Sequence, residues 1–279
     1  MSDPRITDLD GFRVEVDHGR QRGDIVLDRP PFNVIMMPQR DQLRRAFEAL
    51  DEDDGVRVIV LRAVGEHFSS GGYIKGFLEA SPEHVAKLAW NIAAPARCAK
   101  PVIAAARGFC FGVGFEISLA CDFRLAADGA YQIGLPEAVL GILPGGGGTQ
   151  RLPRLIGRGR ALEVMLFGNV YHPREAERLG MVNRVLAPET LMSFAMGWAR
   201  TLAKRPPRSI AAIKRAVYLG ADRDLEAGLY IERTEMRDVM CTEDARTIMN
   251  AYNAAVRRDP MAARSDFLKG IGVPEAKGR

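Results

Sequence analysis

The sequence has few of the residues on which cross-linked or metal-binding proteins depend. It contains four cysteines and four histidines in 279 residues. No two cysteines have the CxxC spacing of a zinc or redox site, and neither an HExxH motif nor an Asp-rich loop is present. We therefore expect no metal site and no disulfide framework, with reduced cysteines that act as small, buried apolar residues.

Long apolar runs are also missing. No run approaches the roughly 20 residues of a membrane-spanning helix. The first residues, MSDPRITDLDG, are acidic and polar, without the apolar core of a signal peptide or the Arg-rich, acid-poor character of a transit peptide. We therefore expect a cytoplasmic protein without a membrane partner.

The net charge of the chain is small. Lys and Arg number 39 against 35 Asp and Glu, which gives a net charge of +4. Hydrophobic residues make up 47% and charged residues 27%, as in ordinary globular domains, so disordered, collagen-like and coiled-coil classes are excluded. A field this weak fits an anionic small molecule as well as a polyanion.

Alternating strands and helices predict an α/β fold with parallel strands. Apolar, β-branched runs indicate strands at residues 24–27, 56–61, 101–106 and 123–127. Leu43, Phe47 and Leu50 recur at helical spacing between the first two runs. Ser81 followed by Pro82 is typical of a helix start, and this helix is expected to continue through Ile92.

The last third of the chain is predicted to be helical. The Pro206–Pro207 pair is the best boundary, because two prolines cannot continue a helix. We therefore expect two parts, residues 1–205 and residues 206–279.

Glu116 and Glu137 are the strongest candidates for chemistry. Each lies in an otherwise apolar segment, and a buried carboxylate is costly unless it is paired or used. Two such residues are consistent with a general acid and base, but equally with helix caps or partners of arginines.

Three glycine-rich segments could place backbone N–H groups against an anion. In the first, Gly112 and Gly114 flank Val113 before a short helix, but Ile117 replaces the third glycine of a dinucleotide fingerprint. Residues 67–77 (HFSSGGYIKGF) lack the GxSxG pattern of a serine nucleophile. Residues 145–151 (GGGGTQR) lack the Lys-Ser/Thr of a phosphate loop.

Taken together, the motifs resemble the crotonase (enoyl-CoA hydratase/isomerase) family over nearly the whole chain. The resemblance rests on these segments: RPPFNV at 29–34, VRVIVLRAVGEHFSSGGYIKG at 56–76, PVIAAARGFCFGVGFEISLACDFRLAA at 101–127, GLPEAVLGILPGGGGTQRLPRLIG at 134–157, LGMVNRVL at 179–186 and TEDAR at 242–246. It implies an α/β spiral of ββα units that binds acyl-CoA, followed by a C-terminal helical region that forms trimers or hexamers.

The resemblance also implies site residues. The thioester oxygen is expected between the backbone N–H groups of Ser70 and Val113, with coenzyme A and substrate contacts from Phe32, Gly71, Gly72, Tyr73 and Ile74. Coenzyme A is part of the substrate, and neither a separate cofactor nor a metal is expected. Two positions depart from the family pattern: Val113 replaces a usual glycine, and Tyr73 replaces a usual aspartate and could reshape the acyl pocket.

Both glutamate positions of the family hydratases are filled, which favours hydration of a 2,3-unsaturated acyl-CoA. Glu116 is then the base that activates water, and Glu137 is the acid that protonates the α-carbon. Alternatives within the family are an enoyl-CoA isomerase, a ring-cleaving acyl-CoA hydrolase and a hydroxycinnamoyl-CoA hydratase-lyase. An alternative of another class is an RNA-binding protein, for which no basic and aromatic stripe is found.

Overall fold

The computed structural model describes residues 3–278. They form two compact units that divide between Arg200 and Thr201. This division falls inside helix α10 (Leu191–Ala203), a few residues before the boundary expected after residue 205. Among the described residues, no helix is both long and apolar enough to cross a membrane.

The first unit is built on a six-stranded sheet with the order β1-β2-β3-β4-β6-β9. β1 and β2 are antiparallel, and the other neighbours pair in parallel. The strands are β1 (Phe12–Asp17), β2 (Arg22–Leu27), β3 (Val58–Ala63), β4 (Val102–Ala106), β6 (Phe123–Ala127) and β9 (Arg184–Leu186). The central strands are buried along almost their whole length, as expected for parallel strands covered on both faces.

Helix α1 (Met37–Glu52) covers part of this sheet. Leu43, Phe47 and Leu50 are buried as their helical spacing predicts, and α1 packs against α4 and α5. The other helices of this unit are α2 (Ile74–Glu79), α3 (Pro82–Ala86), α4 (Leu88–Ile92), α5 (Ala94–Arg97), α6 (Val113–Ala120), α7 (Gly148–Ile156), α8 (Arg158–Phe167) and α9 (Pro173–Leu179). Short 3-10 turns occur at Pro4–Ile6, His18–Arg20 and Glu137–Leu140.

A second, three-stranded sheet brings the segments of the candidate site together. It consists of β5 (Cys110–Phe111), β7 (Ile133–Gly134) and β8 (Val170–Tyr171), in the order β5-β7-β8. A bridge between Ser69 and Cys110 adds the 67–77 segment to its edge. The Gly112 N–H also donates to the Gly134 carbonyl (3.2 Å), so the turns that follow β5 and β7 lie side by side.

The second unit is helical, as predicted. It contains α11 (Pro207–Gly220), α12 (Leu225–Met240), α13 (Glu243–Arg258) and α14 (Pro260–Leu268). Asp224, Thr242 and Asp259 cap the last three of these helices through their side chains. The expectation of four buried cysteines is wrong for one of them: Cys98, Cys110 and Cys121 are buried, but Cys241, at the end of α12, is exposed.

Candidate active site

A cavity of about 420 Å³ in the first unit brings both predicted carboxylates together. Glu116 and Glu137 line it, as do the 70–72 segment and the Gly112–Val113 turn. The rest of the wall is largely apolar and includes Phe77, Val85, Leu88, Leu140, Ile142 and Leu143. A concave apolar space with a few converging polar groups is typical of a small-molecule site.

The turn before α6 needs glycine at residue 112. Gly112 has φ +50° and ψ −128°, a conformation that side-chain-bearing residues rarely adopt. A Cβ atom here would also lie 3.0 Å from Glu137 Oε1. Val113 is the first residue of α6 and does not have a positive φ, so a β-branched residue fits. Its N–H belongs to the first helical turn, where amides have no acceptor within the helix.

The second expected amide, that of Ser70, is already engaged. Ser70 lines the cavity, but its N–H donates to the Phe32 carbonyl at 2.8 Å. The Gly71 N–H donates to Ser69 Oγ at 3.1 Å. A substrate oxygen would therefore have to displace the Phe32 carbonyl before Ser70 could act as the expected donor.

Glu116 is held as a hydrogen-bond acceptor from outside its own helix. It is 2% exposed, and its Oε1 accepts from the Gly146 N–H (2.7 Å) and the Gly148 N–H (2.8 Å). Burial raises the pKa of Glu116, whereas these two amides and the positive charges of Arg40 and Arg151 oppose that rise. The donors and cations all favour the carboxylate form.

Glu137 has the opposite surroundings. It begins the 3-10 turn Glu137–Leu140, is 9% exposed, and its Oε2 has no hydrogen-bond partner among the described residues. Burial raises the pKa of Glu137 to about 7, and the negative charge of Glu116 adds to the rise. A hydrogen bond from its own backbone opposes this rise, but no cation of residues 3–278 does, so Glu137 is suited to hold a proton near neutral pH.

The expected binding residues are only partly brought together. Gly71, Gly72 and Ile74 line the cavity, whereas Phe32 and Tyr73 are not among its lining residues. The Phe32 ring stacks on His67 with a centroid distance of 5.5 Å. Tyr73 precedes α2, is 38% exposed, and donates its N–H to the Ile35 carbonyl (3.2 Å). The structure thus gives the Tyr73 ring no place in the cavity wall.

Sequence reasoning missed the function of the Gly145–Gly148 run. A Cβ atom on Gly146 would lie 2.4 Å from Glu116 Oε2, and one on Gly148 would lie 3.0 Å from Glu116 Oε1. Glycines are needed here because the backbone approaches the carboxylate closely. The run of four glycines was visible in the sequence, but its partner lies thirty residues earlier in the chain.

Arg40 was not predicted from the sequence either. It is a buried arginine on α1 whose charge acts on Glu116. The available signal was its spacing, because Arg40 precedes Leu43 and Phe47 on the buried face of the helix.

Over residues 3–278, no group of three or more His, Cys, Asp or Glu side chains is arranged to hold a metal ion. The two site carboxylates therefore do not belong to a metal-ligand cluster of protein side chains.

Comparison with known proteins identifies the class to which this fold and cavity belong. The family model for "Enoyl-CoA hydratase/isomerase" matches residues 23–260, so the chain belongs to this family, the crotonase family. Its members act on acyl-CoA substrates and are typically oligomeric.

Individual relatives agree with this assignment. The chain is 36% identical over 240 residues to a "Probable enoyl-CoA hydratase" of Rhizobium meliloti, covering 83% of this chain and 91% of the relative. It is 35% identical to the "Carnitinyl-CoA dehydratase" of Salmonella arizonae, covering 85% and 93%. The crystal structure of an enoyl-CoA hydratase from Bacillus anthracis superposes with a TM-score of 0.81 at 30% identity, covering 97% of this chain and all of the other. These similarities confirm the crotonase fold.

Proposed function

We propose that the protein is an enoyl-CoA hydratase that adds water reversibly across the 2,3-double bond of an acyl-CoA thioester. One observation carries the proposal: a single cavity contains two buried carboxylates with opposite surroundings. Glu116 receives two amide donors, whereas Glu137 has a buried oxygen without a donor. Pairs of carboxyl groups whose environments separate their protonation states are typical of acid and base assignments. The names of the relatives support the same substrate class.

The two carboxyl groups divide the work of hydration. The Glu116 carboxylate orients a water molecule and takes one of its protons as the water oxygen bonds to the β-carbon. Glu137, protonated at the start, gives its proton to the α-carbon. The product is a 3-hydroxyacyl thioester, and the roles reverse in dehydration. Glu116 is assigned as the base because two loop amides and two nearby cations favour its carboxylate form, whereas no cation is among the groups that act on Glu137.

Backbone amides stabilise the negative charge that develops on the thioester oxygen. The Val113 N–H at the start of α6 is one donor. The Ser70 N–H becomes the second when the substrate oxygen displaces the Phe32 carbonyl, an exchange of one hydrogen bond for another that costs on the order of 1 kcal/mol or less. Such donors contribute about 3–4 kcal/mol each to a transition state in a dry site. This chemistry uses no metal and no cofactor apart from the coenzyme A of the substrate.

The proposal is tested by the ultraviolet absorbance of crotonyl-CoA, because hydration removes the conjugated enoyl thioester. We expect a rapid loss with the wild-type protein. Glu116→Gln and Glu137→Gln should each lower kcat by about 10²–10⁴-fold, as expected when a general acid or base is lost. The matched control is Glu163→Gln, at an exposed position of α8, which should keep the wild-type rate.

Product analysis separates hydration from the alternatives within the family. A 3-hydroxyacyl-CoA supports a hydratase. A shifted double bond would support an isomerase, free coenzyme A a hydrolase, and release of an aldehyde a hydratase-lyase. If either glutamine variant kept the wild-type rate on the true substrate, the role given to that glutamate would be wrong.

A further inference from the structure

Arg40 is a buried cation without a carboxylate bonded to it. The residue is 1% exposed, on the face of α1 that also buries Leu43 and Phe47. Its Nη1 lies against Met37 Sδ, and its Nε and Nη2 are buried with no hydrogen-bond partner in the part of the chain that the structure describes. A buried, unpaired guanidinium is costly, so its retention calls for a physical reason.

The guanidinium lies directly behind the wall of the candidate active site. It stacks on the Phe77 ring, with 4.7 Å from Cζ to the ring centroid. A Cβ atom on Gly72 would come within 2.7 Å of Arg40 Nη2. Phe77 and Gly72 both line the cavity that contains Glu116, so only a thin layer of protein separates the positive charge from the cavity.

We propose that Arg40 is a positioning residue whose charge, acting through the Gly72 and Phe77 wall, favours the carboxylate form of Glu116. The proposal rests on the hydratase function proposed above, in which Glu116 must accept a proton. The effect needs no direct contact, because charges interact over longer distances in a water-poor interior than in solvent.

Of the positive charges near Glu116, that of Arg40 is the more deeply buried and the less exposed to solvent. Among the described residues, Arg40 from α1 and Arg151 from α7 place positive charge near Glu116, and Glu137 from the 3-10 turn lines the same cavity. Arg151 is only partly buried and donates to the Gly146 carbonyl (3.2 Å), so solvent screens its charge more strongly. Glu137 opposes the ionisation of Glu116 only when Glu137 is itself ionised, because the two carboxylates then have the same charge.

Arg40 remains charged where the enzyme would work. Burial lowers the pKa of Arg40 to about 10, and the negative charge of Glu116 opposes this fall. At neutral pH the guanidinium is therefore protonated and favours the Glu116 carboxylate.

The test compares Arg40→Met and Arg40→Gln, which remove the charge, with Arg40→Lys, which keeps it. The readout is kcat/KM on crotonyl-CoA as a function of pH. For both neutral variants we expect the acid limb to move up by about one pH unit, which is a tenfold loss below the limb and little loss above it. Arg40→Lys should restore the wild-type limb. Arg44→Met, on the same helix but paired with Asp41 and Glu48, should leave the profile unchanged.

A second readout does not depend on the reaction. Infrared difference spectra give the protonated-carboxyl band of Glu116, assigned by its absence in Glu116→Gln. The pH midpoint at which this band disappears should rise by about one unit in the neutral variants, as the acid limb does, even if the substrate is not an enoyl-CoA. The proposal would be overturned by an unchanged midpoint or by an equal loss of activity at every pH. It would also be overturned if both neutral variants failed to fold while Arg40→Lys folded. If the wild-type protein did not hydrate crotonyl-CoA but the midpoint still shifted in the neutral variants, the proposed reaction would be wrong and the role of Arg40 would stand.

Discussion

Glu116 and Glu137 carry the same functional group, but their neighbours act on it differently. The Gly146 and Gly148 amides stabilise charge on one carboxyl group, whereas the other meets apolar wall and the like charge of its partner. The sequence predicted both residues because carboxylates are rare in apolar segments. It could not predict their partners, because those amides and Arg40 come from distant parts of the chain.

The raised pKa of Glu137 predicts a dependence of stability on pH. Burial and the negative charge of Glu116 raise the pKa of Glu137 in the folded protein to about 7, from an ordinary value of 4.5. The folded state therefore binds this proton more tightly than the unfolded state does. The stability associated with it is fully present below about pH 4.5 and is lost as the pH rises to about 7.

Glu137→Gln should remove this loss of folding stability at high pH. We expect the variant to be more stable than the wild type by about 1–3 kcal/mol at pH 8, with the difference shrinking toward pH 4.5. Chemical denaturation at several pH values measures this difference, and Glu163→Gln is the control at an exposed position. A difference that does not vary with pH would show that Glu137 has an ordinary pKa in the folded state.

Among the secondary-structure elements, the strands of the six-stranded sheet were predicted better than the extent of the helices. The four predicted strands appear as β2, β3, β4 and β6, and Ser81 caps α3 by accepting from the His84 N–H. The helix expected to continue through Ile92 is instead divided into α3 and α4.

The sequence gives no usable pattern for four of the strands. β1 lies at the edge of the sheet and only Phe12 of its six residues is buried, and β5, β7 and β8 have two residues each, too few for a periodic pattern. Yet this small sheet joins the turns that carry Val113 and Glu137. The position of the site is therefore less predictable than the fold around it.

The loop before α7 is an element whose backbone performs a specific task. Gly146→Ala would place a Cβ atom 2.4 Å from Glu116 Oε2 and so push the carboxylate away from its amide donors. We expect kcat on crotonyl-CoA to fall by about 10²-fold, because small displacements of a catalytic group are costly. Gly159→Ala in α8 meets open space and serves as the control. Wild-type kcat in Gly146→Ala would show that this loop does not position Glu116.

At the scale of the whole molecule, large apolar side chains remain on the surface of each unit. Leu166 and Phe167 at the end of α8, and Leu225 and Tyr230 on α12, are each more than 60% exposed. Surfaces of this kind are typical of contacts between subunits. Because the resemblance to the crotonase family implies trimers or hexamers, we propose that the chain assembles as a homotrimer or as a homohexamer made of two trimers, with these apolar surfaces at the subunit contacts.

Light scattering coupled to size exclusion measures this assembly directly. We expect a particle of three or six times the mass of the chain. Replacing Leu166 and Phe167 together with Ser should lower that mass if α8 forms a subunit contact. A wild-type protein that remains a single chain at high concentration would contradict the assembly.

The central claim is that both glutamates act together to add water to an enoyl thioester. Its most direct test is the incubation of crotonyl-CoA with the protein in labelled water, followed by mass spectrometry of the product. We expect one ¹⁸O atom on the β-carbon from H₂¹⁸O and one deuterium on the α-carbon from D₂O, with neither label introduced by Glu116→Gln or Glu137→Gln over the same time. Consumption of the thioester without oxygen label on the β-carbon would contradict the account.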